Sequence, residues 1–439
     1  MRFFLALTIY RLLLPLLFIA AFPSWIVKML QRGGFGTHLG ERAAIYTEPT
    51  DFEPCCAVHV HAVSVGESML ALKLIREWLS AEPDRRFVLA TGTATGHAIA
   101  TAAGIQNLRV TYSPLDFPSM VRRYLSRFQP SQIVLIEGEA WPHLLLACKQ
   151  SAIPVRLVNA RMSPRSARRY RKFARWIRPL YSTLDFVAIQ EPEDRQIWQD
   201  LGVAQQRIHD TGSLKFDPGS GACPRPRPDF QQMLDALGNG RPTILAASTH
   251  AGEEAWIAMA IRQADPDLLP IIVPRHAERR AEVKAALEHA GFEVVMRSTF
   301  TPARDLTKAC LLIDTTGELR DWTAHADVVI IGKSFLSTGG QNPCEAILAA
   351  KPIICGPHME NFQPLTARLI QTGGSILARD PDELSRAILA ALDPQKSKAM
   401  TEAASKLLTH HEGATKRVIA ILQNRDPDMA CSSPPAGQP

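Results

Sequence analysis

The stretch Thr243-Ile-Leu-Ala-Ala-Ser-Thr-His-Ala-Gly-Glu-Glu254 begins as an unbroken run of small and apolar residues, turns polar at Ser248, and restarts on two acids. A short apolar run suits a strand buried on both faces of a parallel sheet. Acids just beyond a turn suit the first turn of a helix, where free N–H groups and the dipole favour negative charge. The same strand–turn–helix grammar recurs along the chain. In the first half, strands are predicted at Ala57–Val63, Phe87–Thr91, Leu108–Tyr112, Gln132–Glu137, Val155–Asn159 and Phe186–Ile189. In the second half they are predicted at Thr243–Ala247, Leu269–Val273, Glu293–Met296, Leu311–Asp314, Val328–Ile331, Pro352–Cys355 and Ser375–Leu377. Helical patterns fill most of the gaps, so each half is expected to be a doubly wound, Rossmann-like α/β domain. Between them Asp217–Pro228 (D-P-G-S-G-A-C-P-R-P-R-P) interrupts any regular element.

With 439 residues, two domains are the default. The expected division is 1–40 as a membrane anchor and connector, 41–216 as the first domain, 217–240 as linker, 241–424 as the second domain and 425–439 as a tail. A hydrophobic fraction of 46% and a charged fraction of 21% exclude a disordered chain or a fibre. Aromatic residues make up only 7%, which speaks against stacking platforms for single-stranded nucleic acid. The eight cysteines form no C-x-x-C pair and lie mostly in apolar runs, so neither a disulfide framework nor a zinc site is expected.

From Phe3 to Phe22 the chain is apolar apart from Thr8, Tyr10 and Arg11, enough for about 20 residues of membrane helix. Arg11 interrupts the apolar region and Lys28, Arg32 and Arg42 follow it. That pattern fits an anchor, with the rest of the chain in the cytoplasm, better than a cleaved signal. Whether the helix spans or lies in the interface is left open.

Ligands of such sheets collect at the carboxyl ends of strands, and two domains joined by one linker are expected to enclose an interdomain cleft. His61-Ala-Val-Ser-Val-Gly-Glu67 leaves the first strand. A carboxylate there suits a general base, but Ser64-x-x-Glu67 is also a capping box. Glu137-Gly-Glu-Ala-Trp-Pro142 offers paired acids without a D-x-D pattern, so no metal and no cofactor are invoked. Arg161–Arg178 holds eight basic residues and no acid, which points to phosphate groups or an anionic leaflet rather than a mixed solvated face. In the second half Ser248–Glu254, Pro274-Arg275-His276 and Gly332–Glu345 lie at three strand ends. Together they suggest a site for a nucleotide, with backbone N–H groups for phosphate and Glu345 for a ribose diol.

His61–Glu67, Glu137–Pro142, Asn159-Ala-Arg-Met-Ser163, Gly212–Asp217, Ser248–Glu254, Val273–His276, Asp314–Glu318, Gly339–Glu345, Gly356-Pro-His358 and Asn361-Phe362 stand in an order that resembles the 3-deoxy-D-manno-octulosonic acid (Kdo) transferases of lipopolysaccharide synthesis. The resemblance covers the chain from the anchor to about Phe362. It implies a GT-B type α/β fold, CMP-Kdo as donor and a lipid A precursor of the lipid IVA type as acceptor. It also implies inversion at the anomeric carbon without a metal, at the cytoplasmic face of the inner membrane.

Carried over by position, the resemblance makes Glu67 the catalytic base. It places Ser248, Thr249, Arg275, Gly340, Asn342 and Glu345 around the cytidine monophosphate. Lys215 and Lys333 become charge partners of the donor, and Glu139, Trp141, Arg161 and Ser163 fall on the acceptor side. The chain departs from the family at Gln341, Cys344 and Ala346, where His, Leu and Pro are usual, and at Gly138 and Ala140, where Thr and Leu are. The expected partners are the donor, the acceptor and an anionic membrane surface, with no nucleic acid. The competing readings are a GT-B transferase for another nucleotide sugar and a membrane-anchored nucleotide-binding protein without catalysis.

Overall fold

A computed structural model describes residues 2–31, 38–46, 56–138, 140–162, 164–217, 224–301, 303 and 305–424. The chain divides into two compact units: Met1–Asp217 with Gly413–Pro439, and Pro218–Glu412.

The first unit is built on seven parallel strands: β1 (Val58–Ala62), β2 (Phe87–Thr91), β3 (Leu108–Tyr112), β4 (Gln132–Ile136), β5 (Val155–Ala160), β6 (Phe186–Ile189) and β7 (Ile208–Asp210). Their order is β3-β2-β1-β4-β5-β6-β7, so the winding direction reverses between β1 and β4. Strands β1, β2, β4, β5 and β6 are buried along their whole length, because helices cover both faces of the sheet. Two apolar clusters fill those faces, one around Val60, Leu74 and Trp78, the other around Tyr124, Phe128 and Leu145. The V-H-V-H alternation of β1 does not mark a solvent face. His59 Nδ1 lies 2.6 Å from the Tyr124 hydroxyl, and His61 Nε2 lies 3.4 Å from the same oxygen. Burial pushes both imidazoles down, His61 to about 4.

The second unit repeats the design with β8 (Thr243–Thr249), β9 (Leu269–Pro274), β10 (Glu293–Met296), β11 (Ala309–Leu312), β12 (Val328–Ile331), β13 (Ile353–Cys355) and β14 (Ile376–Leu377). The order β10-β11-β9-β8-β12-β13-β14 is again all parallel, with its reversal between β8 and β12.

Two boundaries differ from the sequence expectation. The helix Pro228–Ala236 lies within the span expected to be linker, and Phe230 stacks on Trp322 at 3.9 Å in the second unit. The helix Ala414–Asn424 was expected to close the second domain, but it packs on the helix Val65–Ala81 of the first. Val418 and Leu422 enter the first unit's core there. The Asp217 carboxylate accepts from the backbone N–H groups of Gly413 (3.0 Å) and Thr415 (2.8 Å). Buried Arg156 of β5 donates from Nη1 both to Gln132 Oε1 (2.6 Å) and to the Leu422 carbonyl (2.7 Å). The predicted tail 425–439 lies outside the described residues.

Candidate functional site

At the reversal point of the first sheet, the loops after β1 and β4 come together, the position where open α/β sheets hold ligands. Glu67 sits in the first turn of the helix Val65–Ala81, which Ser64 caps. The capping box is fully made. Ser64 Oγ accepts from Glu67 N at 3.2 Å and donates to Glu67 Oε1 at 2.8 Å, while Val63 N donates to Oε2 at 2.8 Å. The carboxylate is therefore fixed in direction and only 8% exposed. Each of its oxygens has a second lone pair, so the cap does not exhaust its capacity as an acceptor.

Glu137 follows β4 with φ of 65°, a left-handed conformation that costs a non-glycine residue. Burial raises its pKa, and the charge of Glu67 raises it further, whereas Arg161 and Lys215 oppose the shift. Glu67, Glu137, Arg161 and Lys215 thus share one electrostatic neighbourhood in the first unit. Trp141 stands just before Pro142 at the head of the helix Pro142–Gln150 and is 36% exposed. Glu139 and Ser163 lie outside the described residues. In the sequence Glu137 stands out only as one of two paired acids, and its left-handed backbone has no signature in a non-glycine residue.

In the second unit the loops after β8, β9 and β12 meet at the corresponding reversal. They line a cavity of about 170 Å³ whose walls include Ser248, Arg275, Asn342 and Glu345. Four of the expected donor residues are brought together there. Gln341 and Ala346, two of the departures, also line it, as do Leu319 and Thr323. Those last two come from the helix Leu319–His325, which follows the Asp314–Glu318 motif. They were not anticipated, because nothing in that motif says which side of its helix faces a ligand.

Thr249, Lys333 and Gly340 are not among the lining residues and act on the frame around the cavity. Thr249 is buried and its hydroxyl donates to Glu254 Oε1 at 3.3 Å. Lys333 and Ser248 both carry left-handed backbones, φ 55° and 56°. Their loops are tied by Glu253, whose Oε1 accepts from the backbone N–H groups of His250 and Lys333. Gly340, at φ 67°, donates its N–H to the Lys333 carbonyl at 3.1 Å. Any side chain there would run into Met359. Asn342 Oδ1 accepts from Cys344 N at 3.1 Å, so this side chain serves as a local cap as well as a cavity wall.

Arg275 and Glu345 are the charged residues of the lining, and further cations gather around His250 beside it. His250 is held below its ordinary pKa by burial and then by Lys333, His276, Arg279 and Arg275. Its ring nitrogen Nε2 lies 3.1 Å from Gln341 Nε2, which donates to it. Glu345 is pushed up by burial, against the pull of Arg320 and Arg275. A wall arginine suits a phosphate, and the half-buried Glu345 carboxyl suits sugar hydroxyls. Among the described residues, no group of three His, Cys, Asp or Glu side chains is arranged to hold a metal ion.

The family model for 3-Deoxy-D-manno-octulosonic-acid transferase (kdotransferase) matches residues 37–218. A 3-deoxy-D-manno-octulosonic acid transferase of Bordetella pertussis is 36% identical over 382 residues, covering 84% of this chain and 87% of the relative. The enzyme of the same name from Haemophilus influenzae is 30% identical over 394 residues, covering 88% and 90%. Among solved structures, a glycosyltransferase from Rickettsia africae superposes with a TM-score of 0.51 at 12% identity, covering 84% of this chain and 98% of that one, a likeness of fold alone. Two seven-stranded parallel sheets of GT-B type, together with identity of this depth across most of the chain, go with a glycosyltransferase, and the protein is a member of the Kdo transferase family.

Proposed function

We propose that this enzyme transfers Kdo from CMP-Kdo to a lipid A precursor of the lipid IVA type, with inversion, at the cytoplasmic face of the inner membrane. The observation that carries the reading is the second unit's cavity. Ser248, Arg275, Asn342 and Glu345 converge there as lining residues, at the switch point of the sheet. Arg275 and the backbone turns hold the phosphate of the donor, and Glu345 takes the ribose hydroxyls. Lys333 and Lys215 balance the remaining negative charge of the donor. In the first unit Glu67 accepts the proton of the attacking acceptor hydroxyl as the bond to the anomeric carbon forms. CMP leaves in the same displacement, its developing charge stabilised by Arg275. Arg161, Trp141, Glu139 and Ser163 serve the acceptor. The N-terminal helix and the basic run hold the enzyme at the lipid surface.

Incubation of the purified enzyme with CMP-Kdo and a lipid A precursor tests the reading. Mass spectrometry should find Kdo added to the glycolipid, and the number of units added follows from the same spectrum. CMP should protect the protein against thermal unfolding at concentrations where UDP does not, since a ligand bound only by the native state raises its stability. Protection by UDP alone would move the enzyme to a uridine-linked donor, and nucleotide protection with no transfer to any lipid would leave a binding protein.

A further inference from the structure

The N-terminal helix Arg2–Gln31 passes a length-and-composition test for crossing a membrane, with mean hydropathy 2.2 over Phe3–Ala20. Its contacts argue for another placement. Residues 3, 7, 10, 14 and 18 recur at helical spacing and form one stripe. That stripe is docked on the first unit. Leu7 is buried, Phe3 packs against the core, and the Phe18 ring meets Phe117 edge-on at 6.0 Å. The Tyr10 hydroxyl donates to Asp116 Oδ2 at 2.9 Å, and Arg11 Nε donates to His143 Nε2 at 3.3 Å. Asp116 is itself 5% exposed and accepts from the backbone N–H groups of His143 and Leu144. The helix is thus stapled, through a buried carboxylate, to the head of the helix Pro142–Gln150.

Tyr10 and Arg11 stand near the midpoint of the 18-residue apolar window. A crossing helix would carry this midpoint to the centre of the bilayer, and Asp116 with it. The exposed Arg122 and Arg123 of the helix Pro118–Phe128 lie a few residues beyond Asp116. Each charge at that depth costs about 2.5–3.5 kcal/mol by insertion scales. A helix lying in the interface plane keeps the staple and avoids the cost.

The side away from the stripe is apolar and open: Phe4, Leu12, Leu16, Leu17 and Ile19 are each more than 60% exposed. The neighbouring helix Ala174–Tyr181 packs on the N-terminal helix and continues the basic helix Pro164–Lys172. Arg165, Arg168, Arg169, Arg171 and Lys172 are exposed there, and Phe173 at the junction is 56% exposed. Apolar surface beside charges of one sign matches the boundary between acyl chains and anionic headgroups. We infer that the N-terminal helix lies flat in the anionic cytoplasmic leaflet, stapled to the first unit by Tyr10–Asp116, and does not cross the bilayer. This deepens the proposed membrane attachment and rests on it.

The test uses the full chain with an epitope at its amino terminus, expressed in a Gram-negative host. In spheroplasts, added protease should leave the epitope intact. In inverted inner-membrane vesicles, where the cytoplasmic face is outside, the same protease should remove it. Loss of the epitope in intact spheroplasts, or recovery of the protein only in the soluble fraction, overturns the inference. Kdo transfer measured in the same vesicles separates the two ideas. Active enzyme with an external epitope refutes the flat helix alone, whereas inactive enzyme with an internal epitope refutes the proposed transfer and leaves the placement standing.

Discussion

Replacing Glu67 by Gln separates the cap that this carboxylate makes from the role of base proposed for it. As a cap, the side chain accepts from Ser64 Oγ and Val63 N, each at 2.8 Å. Gln keeps an acceptor oxygen for Val63 N, and its amide can donate to Ser64 Oγ, so the contacts survive but lose their charged acceptor. A hydrogen bond to a charged acceptor contributes about 1.5–3 kcal/mol and an N-terminal cap typically about 1 kcal/mol, so the stability loss should be about 1–2 kcal/mol. For a domain of this size that lowers the unfolding midpoint by about 2–8 °C. As a base, the carboxylate is asked for about 10²–10⁴ in rate, which is about 2.7–5.5 kcal/mol of barrier. The amide cannot take a proton at neutral pH. Single-turnover transfer at saturating CMP-Kdo, run well below the melting onset, should therefore fall at least a hundredfold in Glu67→Gln. CMP affinity should stay within about threefold, because the proposed nucleotide cavity is in the other unit. If the folded variant retains a rate within tenfold of the parent, Glu67 is a cap and the base lies elsewhere, Glu137 being the next carboxylate to test.

Four further outcomes follow from the same geometry. Arg275→Ala removes a cavity-wall cation and should weaken CMP binding by about 10–150-fold in calorimetry, the equivalent of about 1.5–3 kcal/mol for a charged hydrogen bond; unchanged affinity would place the phosphate elsewhere. Gly340→Ala combines a left-handed φ of 67° with a clash against Met359, and a melt of the purified variant should show clear destabilisation. His61 is depressed from 6.5 to about 4, so the unfolded chain binds the extra proton first. Its contribution to stability is complete above about pH 6.5 and is lost as pH falls toward 4, by roughly 3 kcal/mol in all. The midpoint of thermal unfolding should drop over that window, and less so in His61→Asn. Arg168→Ala with Arg169→Ala should reduce sedimentation with phosphatidylglycerol vesicles at low salt and leave little salt dependence, whereas unchanged partitioning would make that face merely solvated.

Thirteen of the strands were legible as apolar runs because both faces of each sheet are covered, which removes the ambiguity of a half-exposed pattern. The missing one, β7, is the edge Ile208-His-Asp210, where one buried apolar side chain is followed by His and Asp and no apolar run shows. The helix Ala414–Asn424 was legible as a helix but not as a partner of the first unit, since an apolar stripe says that it docks and not on what. Phe230 was hidden among prolines, and only the stacked Trp322 shows why a helix forms inside an expected linker. At the candidate sites, residue types were readable from motifs. The strained backbones of Glu137, Ser248 and Lys333, φ 55–65°, were not, because no glycine marks them. Those conformations aim the loops at the two reversal points, and only coordinates display them.

The Asp217 carboxylate has one more implication. It clasps Gly413 and Thr415, and the Lys73 ammonium donates to the Asp217 carbonyl, so the severed ends of the first unit already touch. Residues 218–412 are thereby a cassette inserted between two parts of one compact unit. Cutting out the cassette and bridging its ends with two or three glycines should yield a fragment whose own sheet and terminal helix remain intact. The same junction makes a natural seam for swapping in other cassettes.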